Sequence, residues 1–172
     1  MAATGLLILR LAIGAIMAAH GAQKLFGWWG GPGINGWTGV MTRMRIRPAF
    51  AWAWISALGE FAGGIALALG FLYPLPIIAI AGAMLVAIAL VHWPKGFWNS
   101  KGGFEFNLSI LGAVAALALI GPGAISLDTA IGIRFPEPVT LILLTVVLLI
   151  SVGTALATRT PVPAAEPTPQ TT

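Results

Sequence analysis

Five long runs of apolar residues recur along the chain, at about 5–26, 50–72, 74–92, 106–121 and 138–157. Each run is close to the ~20 residues that a helix needs to cross a bilayer. In lipid only helices and closed barrels satisfy their own backbone groups, and runs that are continuous rather than alternating argue against a barrel. The sequence therefore predicts an all-α fold, a multi-pass transmembrane helical bundle with a four-helix core plus a fifth C-terminal transmembrane helix.

Composition excludes several other classes of protein. With 58% hydrophobic residues, 8% charged residues and a mean hydropathy of +0.94, the chain has too little polar surface to cover a water-soluble globule. It has no cysteine, which excludes disulfides, a thiol shuttle and thiolate-bound iron–sulfur clusters within this chain. Any redox chemistry would therefore depend on a bound cofactor, a quinone or a partner protein.

Basic residues mark one side of the predicted membrane protein. They concentrate in the 28–48 connection, in the 93–104 connection and at the start of the C-terminal tail, as Arg43, Arg45, Arg47, Lys95, Lys101 and Arg159. With five spans these three regions share one side, and the positive-inside rule makes that side cytoplasmic. We therefore expect the N terminus outside and the C terminus in the cytoplasm, and we interpret the net charge of +4 as a sign of topology rather than of nucleic-acid binding.

Three segments complete the organisation of the chain. Residues 1–158 are predicted to form one transmembrane domain, and the Pro/Thr-rich residues 159–172 a disordered cytoplasmic tail. Between the first two spans, Trp37, Met41 and Met44 recur at helical spacing, which indicates a short helix lying in the membrane interface. The first span is expected to remain uncleaved, because Arg10 interrupts it and no Lys or Arg precedes Arg10.

A polar stripe follows one face of the first predicted helix. At ~100° per residue, Arg10, His20 and Lys24 fall within an arc of roughly 80°. Gly14 and Gly21 share that side and permit close helix packing. Because a charged side chain is costly in lipid, we expect this stripe to face the bundle interior. Lys24 has a simpler alternative role, in which its long side chain carries the ammonium out to the membrane–water interface.

Carboxylates that can balance this stripe occur in the later helices. Glu60 lies about eleven residues into the second helix, ~17 Å above its cytoplasmic end, and Arg10 lies ~15 Å above His20. Their depths match, so we predict that Arg10 and Glu60 form an ion pair or share a bound group. We also predict a cavity open toward the cytoplasmic half, lined by the first, second and fourth predicted helices.

Three further polar residues stand at helix ends. Glu105 and Asn107 begin the fourth helix, and His92 ends the third. Glu105 has an alternative role as a residue that only begins a helix, where its carboxylate complements the helix dipole. His92 has an alternative role as a residue of the membrane interface, and both alternatives remain open at this point. Two histidines and two glutamates are enough for a metal in principle, but no E-x-x-H pair occurs on one helix. We therefore expect neither a bound metal nor haem.

Three separated motifs carry a resemblance to a known family. They are LLxLRLxxGxxxxxHGxQKLFG, GExxGGxxLxLG and GGxExNLxxxxxxxxLxxxGPGxxSLD, in that order. Over about residues 5–130 the chain resembles the DoxX/DoxD family of small bacterial membrane proteins. The resemblance implies a four-helix membrane core and leaves the fifth helix and the tail unassigned. It also implies an association with redox chemistry, since some relatives are quinone-linked sulfur-compound oxidoreductase subunits and others associate with redox or detoxification proteins.

These observations favour a quinone-linked oxidoreductase component or a membrane subunit of a redox complex. In this hypothesis Arg10, His20 and Glu60 bind and protonate the quinone head group. Further contacts with the cofactor are assigned to Lys24, His92, Glu105 and Asn107. One alternative is a non-catalytic anchor that recruits a soluble redox enzyme through the basic 28–48 loop, and another is a small proton-coupled transporter. The expected partners are the lipid bilayer and either a redox subunit or a second copy of the chain.

Overall fold

The computed structural model describes residues 1–136 and 139–160, without the side chains of residues 141 and 144. The fold of these residues consists of helices. The helices are α1 (Ala2–Phe26), α2 (Gly33–Arg43), α3 (Ala49–Leu69), α4 (Pro74–Ala87), α5 (Glu105–Ile120), α6 (Leu127–Ile131) and α7 (Val139–Ala157). A π-helical turn (Ile88–His92) and a 3-10 turn (Trp93–Lys95) continue α4. The predicted all-α bundle is therefore confirmed.

Three helices of the described residues are long and apolar enough to cross a membrane, namely Ala2–Phe26, Ala49–Leu69 and α4 with its continuation, Pro74–Lys95. The apolar stretches Glu105–Ile120 and Thr145–Ala157 are shorter. At ~1.5 Å per residue, the 16 residues of α5 reach roughly 24 Å, less than the ~30 Å of a hydrocarbon core. All five predicted runs thus form helices, and a full span by each of them stays a prediction.

Polarity is distributed as expected for a bundle in lipid. Large apolar side chains point outward, for example Ile8 at 62% and Leu119 at 74% exposure. The charged side chains of Arg10, Glu60 and Asp128 are instead almost fully buried. Because lipid solvates apolar groups and not charges, this arrangement is stable in a bilayer and not in water.

Helices α1 and α3 pack tightly along one another through glycines. A side chain on Gly14 or Gly64 would overlap the facing helix, and one on Gly21 would overlap the backbone of Phe61. The predicted role of Gly14 and Gly21 is confirmed. Gly59 and Gly63 of α3 face Ala79 of α4 at ordinary contact distances.

One end of the bundle, which we call the basic end, collects the polar connections. The ends of α1, α4 and α7 and the starts of α3 and α5 meet there, and α2 packs on the start of α3. The chain after α7 pairs with the α2–α3 connection, where Arg47 N donates to Thr158 O and Thr160 N donates to Arg45 O. Residues 159 and 160 of the predicted tail are thus held in place, and residues 161–172 lie outside the described residues.

Candidate functional site

A buried ion pair joins α1 to α3. The Lys24 ammonium lies 2.5 Å from each carboxylate oxygen of Glu60. The Glu60 side chain is only 3% exposed and that of Lys24 is 18% exposed. The predicted pairing of Glu60 with Arg10 is therefore wrong, because Lys24 is the cation at this depth.

The register of α1 against α3 explains the difference. The prediction took His20 to lie level with the start of α3. Gly27 adopts a left-handed conformation (φ 75°) and ends α1 three residues after Lys24, whereas α3 begins about eleven residues before Glu60. The first turns of α3 thus extend ~12 Å past the end of α1, and they pack against α2 rather than α1.

Helix α2 covers the ion pair from the basic end. The Lys24 ammonium lies 4.3 Å from the centroid of the Trp37 ring, within the range of a cation–π interaction. The Trp37 indole N–H donates to the hydroxyl of Ser56 on α3 at 2.8 Å. Trp37 is therefore fixed in orientation, and it holds the Lys24 ammonium against Glu60.

A cavity of about 210 Å³ borders this pair. Its polar lining comes from Lys24, Glu60, Ser56 and Ser151, and most of the rest is apolar, including Trp52, Val86 and Val152. The lining residues come from α1, α2, α3, α4 and the end of α7. The cavity was predicted to be lined by the first, second and fourth membrane helices. The first (α1) and the second (α3) do contribute lining residues, whereas the fourth (α5) contributes none.

Arg10 lies near the other end of α1, away from the cavity. Its guanidinium nitrogens donate to the carbonyl oxygens of Pro122 and Ile125, in the connection between α5 and α6. Its side chain also lies against Gly70, which ends α3 in a left-handed conformation (φ 64°), so a side chain at that position would overlap the guanidinium. Arg10 therefore joins α1 to the loops that close this end of the bundle.

Asp128 completes the same closure, and sequence reasoning did not single it out. Its carboxylate accepts from the backbone N–H groups of Leu72 and Tyr73, each at 2.9 Å. The Tyr73 hydroxyl donates to Leu117 O, at the end of α5. The loop after α3 is thus bound to α6 and α5, and we assign Arg10 and Asp128 to the architecture of this end.

The remaining predicted residues do not line the cavity. His20 is exposed and its ring lies 5.6 Å from that of Phe106 on α5. The His92 ring Nδ1 is 2.7 Å from Gly102 O, and the Glu105 carboxylate accepts from Asn99 N at 3.0 Å, so both organise the 93–104 connection. Buried Asn107 donates to the Met84 sulfur at 3.3 Å.

Trp37, Ser56 and Trp52 are among the lining residues that the sequence did not identify as site residues. Trp37 was assigned to a short helix in the membrane interface, and the face that it shares with Met41 and Met44 packs on the start of α3 in the structure. Ser56 is a small polar residue in an apolar run and gave no distinguishing pattern. In the sequence, Trp52 looks the same as a tryptophan that lies in the membrane interface. It lines a cavity because residues of α7 form part of the wall of that cavity.

Comparison with known proteins agrees with this architecture. The DoxX family model matches residues 5–93, which include Lys24, Glu60 and α1 to α4. The chain is similar to the inner membrane protein YqjF of Escherichia coli, with 32% identity over 120 residues, 67% of this chain and 90% of that protein. It is also similar to the inner membrane protein YphA of Escherichia coli, with 31% identity over 132 residues, 72% of this chain and 87% of that protein. No solved structure matches the chain significantly.

Proposed function

The chain belongs to the DoxX family of membrane proteins, and we propose that it is a quinone-binding component of a membrane redox system. The proposed head-group site is the cavity beside Lys24 and Glu60. The observation that carries this proposal is the position of the ion pair, which is buried inside an apolar bundle and borders open space. A buried pair with purely structural value needs no adjoining cavity.

The residues around the cavity fit the chemistry of a quinone. The Lys24 ammonium is a donor for a carbonyl oxygen, whereas the Ser56 hydroxyl already donates to Ala53 O at 3.2 Å. Apolar side chains and the rings of Trp37 and Trp52 provide a surface for a flat ring. A bound quinone would supply two-electron, two-proton chemistry. Glu60 is the carboxylate that can accept or deliver a proton at this depth, with Lys24 holding it in position.

This proposal moves the site relative to the sequence-based hypothesis. Lys24 and Glu60 bind the head group, whereas Arg10 and His20 have no role in it. The chain has no cysteine, so we assign the electrons to a partner redox protein. Its docking surface would be the basic end, where both basic connections and Arg159 lie together.

We also propose that the basic end faces the cytoplasm. The structure brings the 28–48 and 93–104 segments and the end of α7 to this one end of the bundle. The positive-inside rule then supports a cytoplasmic C terminus.

A binding experiment tests the proposal. The full chain in lipid nanodiscs is titrated with decylubiquinone, and binding is followed by quenching of tryptophan fluorescence. We expect Glu60→Gln and Lys24→Met each to weaken binding at least tenfold. Lys101→Met, an exposed lysine at the same end, is the matched control and should leave the affinity unchanged.

Two results would reject the proposal. One is the absence of saturable quenching in the unmodified protein together with no quinone in its extracted lipids. The other is saturable binding that neither Lys24→Met nor Glu60→Gln alters, which would place the quinone elsewhere. The cavity would be supported as the site if Lys101→Met keeps the affinity for decylubiquinone and both Lys24→Met and Glu60→Gln lose it.

A further inference from the structure

The cavity beside the ion pair lies between α3 and α7. Helix α7 packs mainly along α4, and the space next to it is bordered by Trp52 and Ile55 on α3 and by Ser151 and Val152 on α7. Side chains of α4 form its floor. We call this gap between α3 and α7 the lateral seam.

The seam reaches the outer surface of the bundle. Ile55 lines the cavity and is nevertheless 57% exposed. Ser151, on the opposite rim, also lines the cavity and is exposed. The apolar outer surface of a membrane bundle contacts acyl chains, and contact at Ile55 would make the cavity continuous with the hydrocarbon of the bilayer.

The basic end, in contrast, is covered. Met41 and Ile46 line the cavity there and are 5% and 2% exposed. The chain after α7 closes over this region, since Ile46 and Arg159 form an antiparallel bridge. A ligand therefore has a shorter path from lipid than from water.

The seam offers little to a polar group. The Ser151 hydroxyl already donates to Val147 O at 2.7 Å, so its proton is used within α7. Lys24 and Glu60, which also line the cavity, have side chains that are only 18% and 3% exposed, so they lie deeper than the exposed rim residues Ile55 and Ser151. The route is thus apolar at its rim and polar at its inner end.

From this geometry we propose that the ligand enters sideways from the bilayer and is a tail-bearing quinone, with its head group beside Lys24 and Glu60 and its tail in the lateral seam. The cavity volume of about 210 Å³ is below the ~300–1,000 Å³ typical of pockets that enclose a whole ligand. Only a ring-sized group fits inside, and the rest of the molecule remains between α3 and α7. The identity of the ligand rests on the proposed function, whereas the lateral route does not.

The route is tested first without a quinone. The full chain is placed in nanodiscs of phosphatidylcholine with or without brominated acyl chains, which quench tryptophans that they reach. The Trp52 contribution is the quenching lost in Trp52→Phe, and Trp54→Phe gives a reference for a tryptophan on the outer face of α3, 37% exposed. We expect Trp52 to be quenched by brominated chains and Ser151→Phe to reduce that quenching at least twofold.

Leu149→Phe is the matched control, because Leu149 is 64% exposed on α7 and does not line the cavity. It should leave the quenching of Trp52 unchanged. Ser151→Leu repeats the test with a smaller group in case the phenylalanine variant does not fold. An unquenched Trp52 beside a quenched Trp54, or equal effects of the Ser151 and Leu149 variants, would overturn the lateral route.

A second titration compares decylubiquinone with the same ring lacking a long tail. We expect decylubiquinone to bind at least tenfold more tightly, and Ser151→Phe to remove that advantage while Leu149→Phe retains it. Equal affinity for both quinones would overturn the assignment of the tail to the seam. Quenching of Trp52 by brominated lipid without any quinone binding would support the route and reject the proposed function.

Discussion

Replacing Lys24 by methionine should destabilise the protein more than replacing Glu60 by glutamine. Lys24→Met leaves the Glu60 carboxylate, 3% exposed, without its cation. Removing one partner of a buried pair costs ~3–5 kcal/mol in soluble proteins, because the remaining charge is neither paired nor hydrated. We expect a loss of that size in the free energy of unfolding.

Glu60→Gln should cost less because Lys24 keeps other contacts. Its side chain is 18% exposed, and its ammonium lies over the Trp37 ring. A cation–π interaction contributes up to ~2 kcal/mol when it is desolvated, which reduces the expected loss to ~1–3 kcal/mol. The double variant Lys24→Met, Glu60→Leu removes both charges, and we expect its stability to return close to that of the unmodified protein.

Unfolding in mixed micelles, titrated with dodecyl sulfate and followed by far-ultraviolet circular dichroism, measures these differences. Lys101→Met is the control for loss of a lysine at the basic end and should change stability by less than ~0.5 kcal/mol. A Glu60→Gln variant less stable than Lys24→Met would refute the reasoning. So would a double variant no more stable than Lys24→Met, since the pair would then contribute net stability.

Three further predictions use the same unfolding assay or thiol labelling. Arg10→Met removes charged hydrogen bonds to two carbonyl groups and should cost ~2–4 kcal/mol, and Arg10→Lys should not recover it because an ammonium lacks the two-pronged geometry. Gly21→Ala forces a methyl group into the backbone of Phe61 and should cost ~1–3 kcal/mol, whereas Gly112→Ala, in open space within α5, should be neutral or stabilising by up to ~1 kcal/mol. Ser100→Cys, in a chain without native cysteine, should be labelled by a charged maleimide only from the cytoplasmic side, and labelling from the periplasm would reverse the proposed orientation.

Local patterns predicted the helices and the inward position of Arg10 and Lys24, because each depends on the period of one helix. His20, which was predicted to share that inward face, is exposed instead. Runs of apolar residues define the helices within a few residues, and glycines at positions 14 and 21 mark the face of α1 that meets α3. The short helix α2 was also predictable, since Trp37 and Met41 recur at helical spacing, and the face that they share packs on α3.

The depth of one helix against another was not predictable in the same way. Arg10 and Glu60 have matching heights only if His20 lies level with the start of α3, but α3 extends past the end of α1 and packs on α2. The observed register replaces Arg10 by Lys24, fourteen residues further along α1, as the partner of Glu60. The cavity depends on α7 as well, whose packing along α4 leaves no trace in its uniformly apolar sequence.

The two buried cations show why charge alone does not locate a site in a membrane bundle. Arg10 is 1% exposed, and its terminal nitrogens are bound to backbone carbonyl groups of a loop that they hold closed. Lys24 is also buried in large part, but its partner carboxylate borders a cavity. The cost of placing a charge in low dielectric is met in both cases, by carbonyl dipoles in one and by an opposite charge in the other. Only at Lys24 does open space next to the charge allow a ligand to replace part of that solvation, so we assign binding to the Lys24–Glu60 pair and architecture to Arg10.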